Sequence, residues 1–285
     1  MTKATSWSLG SLHPATRFNI DRDYGALGHS RRADVVMLDD DLNVHNTWLG
    51  GRLVVENKKI TPFLDKQLSN NRYLYPRKAY ETVIIPKQIK LVPSIPDKEN
   101  FYINVINTKL PGIMTFLETI KINKKPKSWN EILISHNLCH LCVIERHGKN
   151  GDFAHGFIKN FNLKSGAVAS SVGHDAHNII VSGMNEKDMK LAVELVNESQ
   201  GGIVIVNNGK LISKVKLPIA GLLSDKKASE VAEDNRLFKE KWTKSGCSLA
   251  YMGFNLLSLS VIPNVRLTNK GLVDVNKMVI IPIFE

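Results

Sequence analysis

Cysteines and long apolar runs are scarce in this sequence. Its 285 residues include three cysteines, Cys139, Cys142 and Cys247. An odd and sparse set of this kind is typical of a reducing compartment rather than of a disulfide framework. The amino-terminal residues lack the apolar core of a secretory signal, and no apolar run is long enough to cross a bilayer. These absences predict a cytoplasmic protein that has no membrane partner.

Several motifs that carry familiar chemistry are missing as well. The sequence contains no G-x-x-x-x-G-K-[ST] phosphate loop, no G-x-S-x-G nucleophile turn, no H-E-x-x-H zinc motif and no G-x-G-x-x-G turn. These motifs place backbone amides on a phosphate, a serine nucleophile on a sharp turn, or two imidazoles on one metal. Their absence disfavours nucleotide hydrolysis by a P-loop and hydrolysis of the serine type.

Basic residues outnumber acidic ones and give a formal net charge of +11. Clustered Lys and Arg favour nucleic acids because they release counterions from phosphates. Here the basic residues are spread over several segments, and no aromatic residues alternate with them to stack on bases. A mild local excess occurs at Lys121, Lys124, Lys125 and Lys127. The pattern predicts a solvated basic surface and no nucleic-acid partner.

The first part of the chain predicts a small β-region. Residues 1–20 are typical of a helix end and a loop, residues 33–38 of a strand, and Gly50-Gly51 of a hairpin turn. Residues 57–100 are rich in Lys, Asn and Pro, which favours short extended pieces over helix. We place a boundary in this segment and predict two domains, residues 1–75 and 76–285.

The second domain is predicted to be of α+β class, with a mixed sheet and a few helices. Apolar residues recur at helical spacing between Asn185, which can cap a helix, and Gly201, which can end one. A further helix is predicted over about 224–244. Strands are predicted over 141–147, 178–183, 255–263 and 277–285, with hairpin turns at 207–209 and 269–271.

The first candidate site is the cluster His174, Asp175 and His177. Imidazoles are common metal ligands and titrate near neutral pH, so two of them beside a carboxylate can bind a metal or move protons. The small residues of the preceding GAVASSVG let the backbone approach a bulky group. The alternative is a polar turn whose histidines bond to backbone groups.

The second candidate is Glu145-Arg146-His147, which follows the apolar run LCVI and precedes a glycine-containing loop. Charged groups at a strand end beside a flexible loop are a common way to present catalytic side chains. A surface ion pair is the alternative. If His147 meets His174 and His177 in space, the two candidates form one site.

A third candidate is the Cys-x-x-Cys pair Cys139 and Cys142, with His136 and His140 nearby. Such a pair can bind zinc or cycle between redox states. No second pair accompanies it, and Cys247 is distant in sequence. Burial in a strand is therefore the favoured interpretation.

Residues 10–44, GSLHPATRFNIDRDYGALGHSRRADVVMLDDDLNV, resemble the closing segment of amidohydrolase-superfamily enzymes. In that segment the last barrel helix ends in an Asn-Pro-Ala-type signature and is followed by G-x-(I/L)-x-x-G-x-x-A-D-(L/V)-V. His13 replaces the usual Asn before Pro14. The matching positions are Gly25, Gly28, Ala33 and Asp34.

Four further stretches resemble the carboxy-terminal domain of bacterial adenine deaminases. They are VIERHG, GAVASSVGHDAHNIIVSG, LPIAGLLSD and IPNVRLTNKGLVDV. The resemblance covers nearly the whole chain and is weakest over about 57–140. It implies a partial β-region, the tail of the composite β-domain of amidohydrolases, followed by the mixed-sheet carboxy-terminal domain.

The resemblance implies hydrolytic deamination of adenine to hypoxanthine and ammonia by a metal-activated water, with manganese or iron as the divalent metal. The family builds that centre in a (β/α)8 barrel, from a His-x-His at the first strand and later ligands. None of the nine histidines here forms His-x-His. We therefore expect a carboxy-terminal portion that begins in the last barrel helix, lacks the main metal site and has a barrel-bearing partner chain.

Two family motifs carry over to this chain, and we expect them to close over or support the adenine pocket. They imply catalytic roles for Glu145, His147, His174, Asp175 and His177, and substrate binding by Arg146 and Asn178. The pattern is compatible with one metal held by His147, His174 and His177. It is equally compatible with no metal held by this chain. An unpaired edge in the partial β-region is expected to favour homo-oligomers. The alternative function is a non-catalytic metal-binding or interaction module.

Overall fold

A computed structural model of the chain describes residues 3–70, 73–109, 113–123 and 128–285. The chain divides into two compact units, residues 1–74 and 75–285. Within the described residues, no helix is both long and apolar enough to cross a membrane. Three lysines of the predicted basic segment, Lys124, Lys125 and Lys127, lie outside the described residues.

The first unit is built around a four-stranded antiparallel sheet in the order β1-β2-β3-β4. Gly50 and Gly51, with φ of 57° and 78°, form the tight turn between β2 and β3, where a side chain would be strained. Apart from α3, these elements follow the predicted β-region. They are α1 Lys3–Leu9, α2 Leu12–Arg17, β1 Val35–Leu38, β2 Val44–Leu49, β3 Arg52–Glu56, β4 Lys59–Ile60 and α3 Pro62–Asn70.

Helix α3 contradicts the prediction that residues 57–100 contain no helix. Pro62 stands at the first helical position. A backbone N–H there would have no acceptor within the helix, so a proline loses no helical hydrogen bond. The Thr61 hydroxyl accepts the Leu64 N–H at 3.4 Å, and Asp65 lies in the positive first turn. The richness of this segment in proline favours extended pieces, but a proline at the first helical position starts a helix.

The second unit contains an eight-stranded sheet in the order β12-β11-β9-β10-β7-β8-β5-β6 and a three-stranded sheet β13-β14-β15. Neighbours in the larger sheet are antiparallel except β5 and β8. The unit is therefore α+β, as predicted. Its strands are β5 Asn100–Asn107, β6 Phe116–Asn123, β7 Leu138–Ile144, β8 Phe153–Lys159, β9 Ala167–Gly173, β10 Asn178–Gly183, β11 Gly202–Asn207, β12 Lys210–Lys216, β13 Val265–Thr268, β14 Gly271–Asp274 and β15 Val279–Ile281.

Helices cover this sheet and close its core. The predicted helix after Asn185 is α5, and the Asn185 side chain accepts the Asp188 N–H at 2.8 Å as the cap requires. Its apolar side packs with buried residues of β7, β9, β10 and β11, whereas α6 and α7 contribute to a second apolar cluster. The helices are α4 Trp129–His136, α5 Glu186–Glu198, α6 Ala228–Lys244 and α7 Tyr251–Asn255.

The strand predicted over residues 255–263 is wrong. This segment continues α7 into a 3₁₀ turn, Leu256–Ser258. Phe254 and Leu257, three residues apart, are both buried in the core. Their spacing is helical, but a short apolar run does not by itself distinguish a strand from a helical turn.

Strand β7 is buried along its whole length, and it carries Cys139 and Cys142 as free thiols. Burial raises the pKa of the Cys139 thiol to about 12 and also raises that of Cys142, so both remain protonated at neutral pH. The interpretation of this pair as part of a buried strand is confirmed.

Candidate functional site

Antiparallel pairing brings the two main sequence candidates to one end of the large sheet. Ile144 at the end of β7 lies opposite Ile179 at the start of β10. Glu145, Arg146 and His147 leave the sheet at this point. The four residues that connect β9 to β10, His174 to His177, enter it there. We call residues 174–177 the β9–β10 turn and residues 145–152 the β7–β8 loop.

The β9–β10 turn concentrates three groups that can bind metal. His174, Asp175 and His177 each offer one ligand atom, and these atoms all lie within 4.8 Å of one another. The two imidazole centroids are 5.4 Å apart. Both histidines are half-buried and Asp175 is exposed, so the group opens toward solvent.

Arg146 fastens this turn to the sheet from beneath. The Arg146 residue is 1% exposed. Its Nε donates to the carbonyl oxygens of His177 at 2.5 Å and Ser171 at 3.2 Å, and Nη2 donates to that of Ala220 at 3.1 Å. Its Nη1 is buried and has no partner among the described residues. Burial lowers the pKa of Arg146 to about 10, against the raising effect of Glu145, so it stays charged at neutral pH.

His147 reaches the turn from the β7–β8 loop. Its exposed imidazole donates from Nε2 to the Ala176 carbonyl oxygen at 2.8 Å. The second candidate therefore does contact the first. The third potential metal ligand beside the two histidines of the turn is nevertheless Asp175, and His147 makes its described contact with the backbone.

Glu145 is buried and organises the β7–β8 loop. Oε1 accepts the His147 N–H at 2.5 Å, and Oε2 accepts three N–H groups at 3.1 to 3.3 Å, from Lys149, Asn150 and Gly151. Burial alone would raise the pKa of this carboxyl. The four N–H groups outweigh burial and lower the pKa below its usual value. The surface ion pair considered from the sequence is thus replaced by a carboxylate held by backbone amides.

His177 is the more constrained histidine of the turn, with a backbone φ of 51°. Burial lowers the pKa of its imidazole, and the charges of His174 and Arg146 lower it further, against opposing effects of the Val172 carbonyl and Asp175. Its Nδ1 is buried and has no hydrogen-bond partner in the described residues. The neutral form, with a free lone pair, is therefore favoured at this position.

A cleft of about 450 Å³ lies beside the turn and is lined by side chains from three segments. Asn178, at the start of β10, donates from Nδ2 to Asn269 Oδ1 at 3.1 Å, and its own Oδ1 is buried without a partner among the described residues. Lys270 Nζ is paired with Asp152. The lining consists of Glu145, His147, Lys149, Asn150, Ala176, Asn178, Asn269 and Lys270.

Asn269, Lys270 and Ser258 also belong to this region, although no sequence motif singles them out as site residues. Asn269 and Lys270 lie in the predicted β13–β14 turn, and their motif was noted only as part of the resemblance. Ser258 donates its hydroxyl to the His174 carbonyl at 2.7 Å, and the His174 N–H donates to the Asn255 carbonyl at 3.0 Å. The sequence predicts a strand for the segment that carries Asn255 and Ser258, whereas the structure has a helix and a 3₁₀ turn there.

Comparison with known proteins adds the following similarities. A family model described as the adenine deaminase C-terminal domain matches residues 113–279. Adenine deaminases of Chelativorans sp. (strain BNC1) and Bradyrhizobium sp. (strain BTAi1) are 54% and 53% identical in alignments 286 positions long, which cover 100% of this chain and 47% of each relative. The adenine deaminase of Clostridium botulinum (strain ATCC 19397) is 32% identical over 289 residues, 98% of this chain and 47% of the relative. The chain spans about half the length of these curated relatives.

Proposed function

Because the chain belongs to the adenine deaminase C-terminal domain family, we propose that it serves as the carboxy-terminal part of an enzyme that hydrolyses adenine to hypoxanthine and ammonia. One observation carries this proposal. The two motifs that resemble the family, residues 145–147 and 174–178, meet at one end of the large sheet, and both contribute to a single cleft.

The metal centre that the resemblance implies does not fit the histidines of this chain. That ligand set begins with His-x-His at a barrel strand, and none of the nine histidines has this spacing. Nor do the sheets of the described residues form a (β/α)8 barrel. In our proposal the main centre, with manganese or iron as the expected ion, belongs to a barrel-bearing segment, and this chain alone does not deaminate adenine.

We assign the residues of this chain to covering the purine and binding its polar edge. Asn178 Oδ1 is buried and has no partner among the described residues, so it can accept a hydrogen bond from the exocyclic amine of adenine. His147 lines the same cleft. Deamination also requires proton transfers to N1 and to the departing amine, for which His174, Asp175 and His177 are the candidates.

Arg146 receives a positioning role in place of the substrate contact suggested by the motif. Three of its hydrogen bonds go to backbone carbonyls, one of them on His177 at the end of the turn. Because Arg146 holds the backbone of His177, it fixes the position from which the imidazole of His177 projects. Glu145 is assigned a comparable role in the β7–β8 loop, since its oxygens accept four backbone N–H groups.

A chimeric enzyme tests the proposal. This chain replaces the aligned 47% of the Chelativorans adenine deaminase, and the product is assayed for conversion of adenine to hypoxanthine. We expect turnover, and we expect His177→Ala to reduce kcat by roughly 100-fold or more, as loss of an acid–base group does. His136→Ala, at the end of α4, serves as the control and should leave turnover unchanged.

Two results would contradict the proposal. A folded chimera with its barrel metal bound that does not convert adenine would show that this chain does not serve as the carboxy-terminal part. Robust turnover by the 285-residue chain alone, with added Mn(II) or Fe(II), would show that the chain contains its own catalytic metal centre.

A barrel-bearing partner is also supported by the surface of the first unit. Among its described residues, only Ala15 and Val54 are buried apolar side chains, whereas Trp7, Phe18 and Leu27 are 55%, 75% and 75% exposed. Exposed apolar side chains in this number favour a covering surface. We propose that the barrel-bearing segment covers them, within an oligomer. The second candidate, a non-catalytic interaction module, predicts the same association but no turnover in the chimera.

A further inference from the structure

We propose that the β9–β10 turn binds one divalent transition-metal cation through His174, Asp175 and His177, separately from any centre in a barrel. The donor set supports this first. Two imidazoles and a carboxylate suit Zn(II), Fe(II), Mn(II) or Co(II). Ligand atoms about 2.1 Å from one ion lie roughly 3 to 3.5 Å apart, so the present spread of up to 4.8 Å closes with modest side-chain rotation.

An unpartnered buried atom points to the same ligand. His177 Nδ1 is buried and has no hydrogen-bond partner among the described residues. Leaving a buried nitrogen of this kind unpaired is unfavourable. A cation coordinated at the turn would accept the lone pair of this nitrogen.

The backbone of the turn is fixed before any ion arrives. Carbonyl oxygens of His174, Ala176 and His177 accept bonds from Ser258, His147 and Arg146, at 2.7, 2.8 and 2.5 Å. The His174 N–H is held by Asn255. These contacts use the backbone and leave the three ligand side chains available, which lowers the ordering cost of binding.

A cation bound at the turn would meet charges of both signs. The Arg146 guanidinium is positively charged and close enough to donate to the His177 carbonyl, so it repels the cation. Asp175 supplies the compensating negative charge within the ligand group. Because Asp175 is exposed, coordination positions toward solvent remain open for water or another ligand. With an ion bound, a water at such a position, rather than the ligated side chains themselves, would serve the proton transfers proposed for the turn.

Cobalt titration of the metal-free, full 285-residue chain tests the inference. We expect one Co(II) per chain, with the visible absorption of nitrogen and oxygen coordination, displaced by Zn(II). His174→Ala, Asp175→Asn and His177→Ala should each weaken binding by at least about 100-fold. Ser258→Ala, which removes only a support of the turn, should cost about 10- to 100-fold, and His136→Ala should cost nothing.

Asp175→Asn is the decisive variant because it keeps the size of an exposed side chain and should not disturb folding. Circular dichroism and urea unfolding establish that each variant is folded. Absence of stoichiometric Co(II) binding, or binding that Asp175→Asn and His177→Ala leave unchanged, would overturn the inference. Since the readout is metal binding by this chain, its outcome is independent of whether the chimera deaminates adenine.

Discussion

Single side chains fix the two loops of the site, and Glu145 does so through its charge. Its carboxylate accepts four backbone N–H groups of the β7–β8 loop. These bonds lower its pKa although burial acts in the opposite direction. The loop that presents His147 therefore depends on a buried anion.

Glu145→Gln should lower the free energy of unfolding by roughly 1 to 3 kcal/mol, because an amide turns donors toward backbone N–H groups. The contribution of Glu145 is present above the unfolded-state pKa and is lost as pH falls through its lower folded-state value. Urea unfolding across pH should thus show the variant and the native chain converging in acid. Glu194→Gln, at an exposed position of α5, is the control, and a deficit that persists unchanged in acid would contradict this account.

His140 gives the chain a second acid-sensitive residue. It is 1% exposed, its Nδ1 has no partner among the described residues, and its ring lies 5.3 Å from that of Trp129 and 5.4 Å from that of Phe157. Burial, together with the charge of His155, lowers its pKa to about 3. Protonation is therefore much easier in the unfolded chain than in the folded one.

Since the folded-state pKa of His140 lies below the unfolded-state value, its full contribution is present above about pH 6.5 and is lost as pH falls toward about 3. Through this residue, the free energy of unfolding should fall by about 1.4 kcal/mol for each pH unit in that window. His140→Phe should remove this component of the slope, measured by urea unfolding between about pH 7 and about pH 4. His136→Gln should retain it; an unchanged slope in His140→Phe would refute the assignment.

At the scale of elements, strand pairing determines which loops meet. Strands β7 and β10 are antiparallel neighbours, so the last residues of β7 and the first residues of β10 lie side by side at the same end of the sheet. The segment after β12 joins them there: Ala220 accepts a bond from Arg146, and Gly221 lies against the guanidinium. The motif LPIAGLLSD thus contributes to the site by packing under it.

Gly221→Ala should displace the Arg146 guanidinium from its packed position. Its φ is +72°, and an added Cβ would lie 2.7 to 2.8 Å from the guanidinium. Gly209 has the same φ of +72° with nothing within 4 Å, so Gly209→Ala measures backbone strain alone. We expect a loss of roughly 1 to 2 kcal/mol for Gly209→Ala and roughly 2 to 4 kcal/mol for Gly221→Ala by urea unfolding. Equal losses would mean that Arg146 moves aside freely.

At the scale of the whole molecule, the two compact units differ in how much apolar surface they bury. Three clusters of buried side chains fill the second unit, and β7, β9 and β10 lie at its centre. The first unit buries only Ala15 and Val54 among its described apolar residues. Burial is the main favourable contribution to folding, so the stability of the chain is unevenly distributed.

Hydrogen exchange followed by mass spectrometry should reveal this difference. Amides of β7 and β10 should exchange only on global unfolding, whereas those of β1 to β4 should exchange orders of magnitude faster through local opening. Adding a barrel-bearing segment should slow exchange in the first unit selectively. Equal protection of both units in the isolated chain would contradict the expectation.

The sequence by itself determined the α+β class, helix α5 with its Asn185 cap, the hairpins at 207–209 and 269–271, and strand β10. These features depend on local periodicity and turn chemistry, which a short window contains. It also supplied the motifs around Glu145 and His174 on which the family resemblance depends, and the family model bears that resemblance out. The roles predicted for individual site residues remain predictions.

Only the tertiary structure decided how those motifs are used. Helix α3 and the turn at Leu256–Ser258 were missed because proline position and short apolar runs are ambiguous without their packing partners. Strand pairing brought Arg146 to the His177 carbonyl and His147 to the Ala176 carbonyl. These two contacts join residues that are distant along the chain, so they depend on the register and order of strands, which no local pattern encodes.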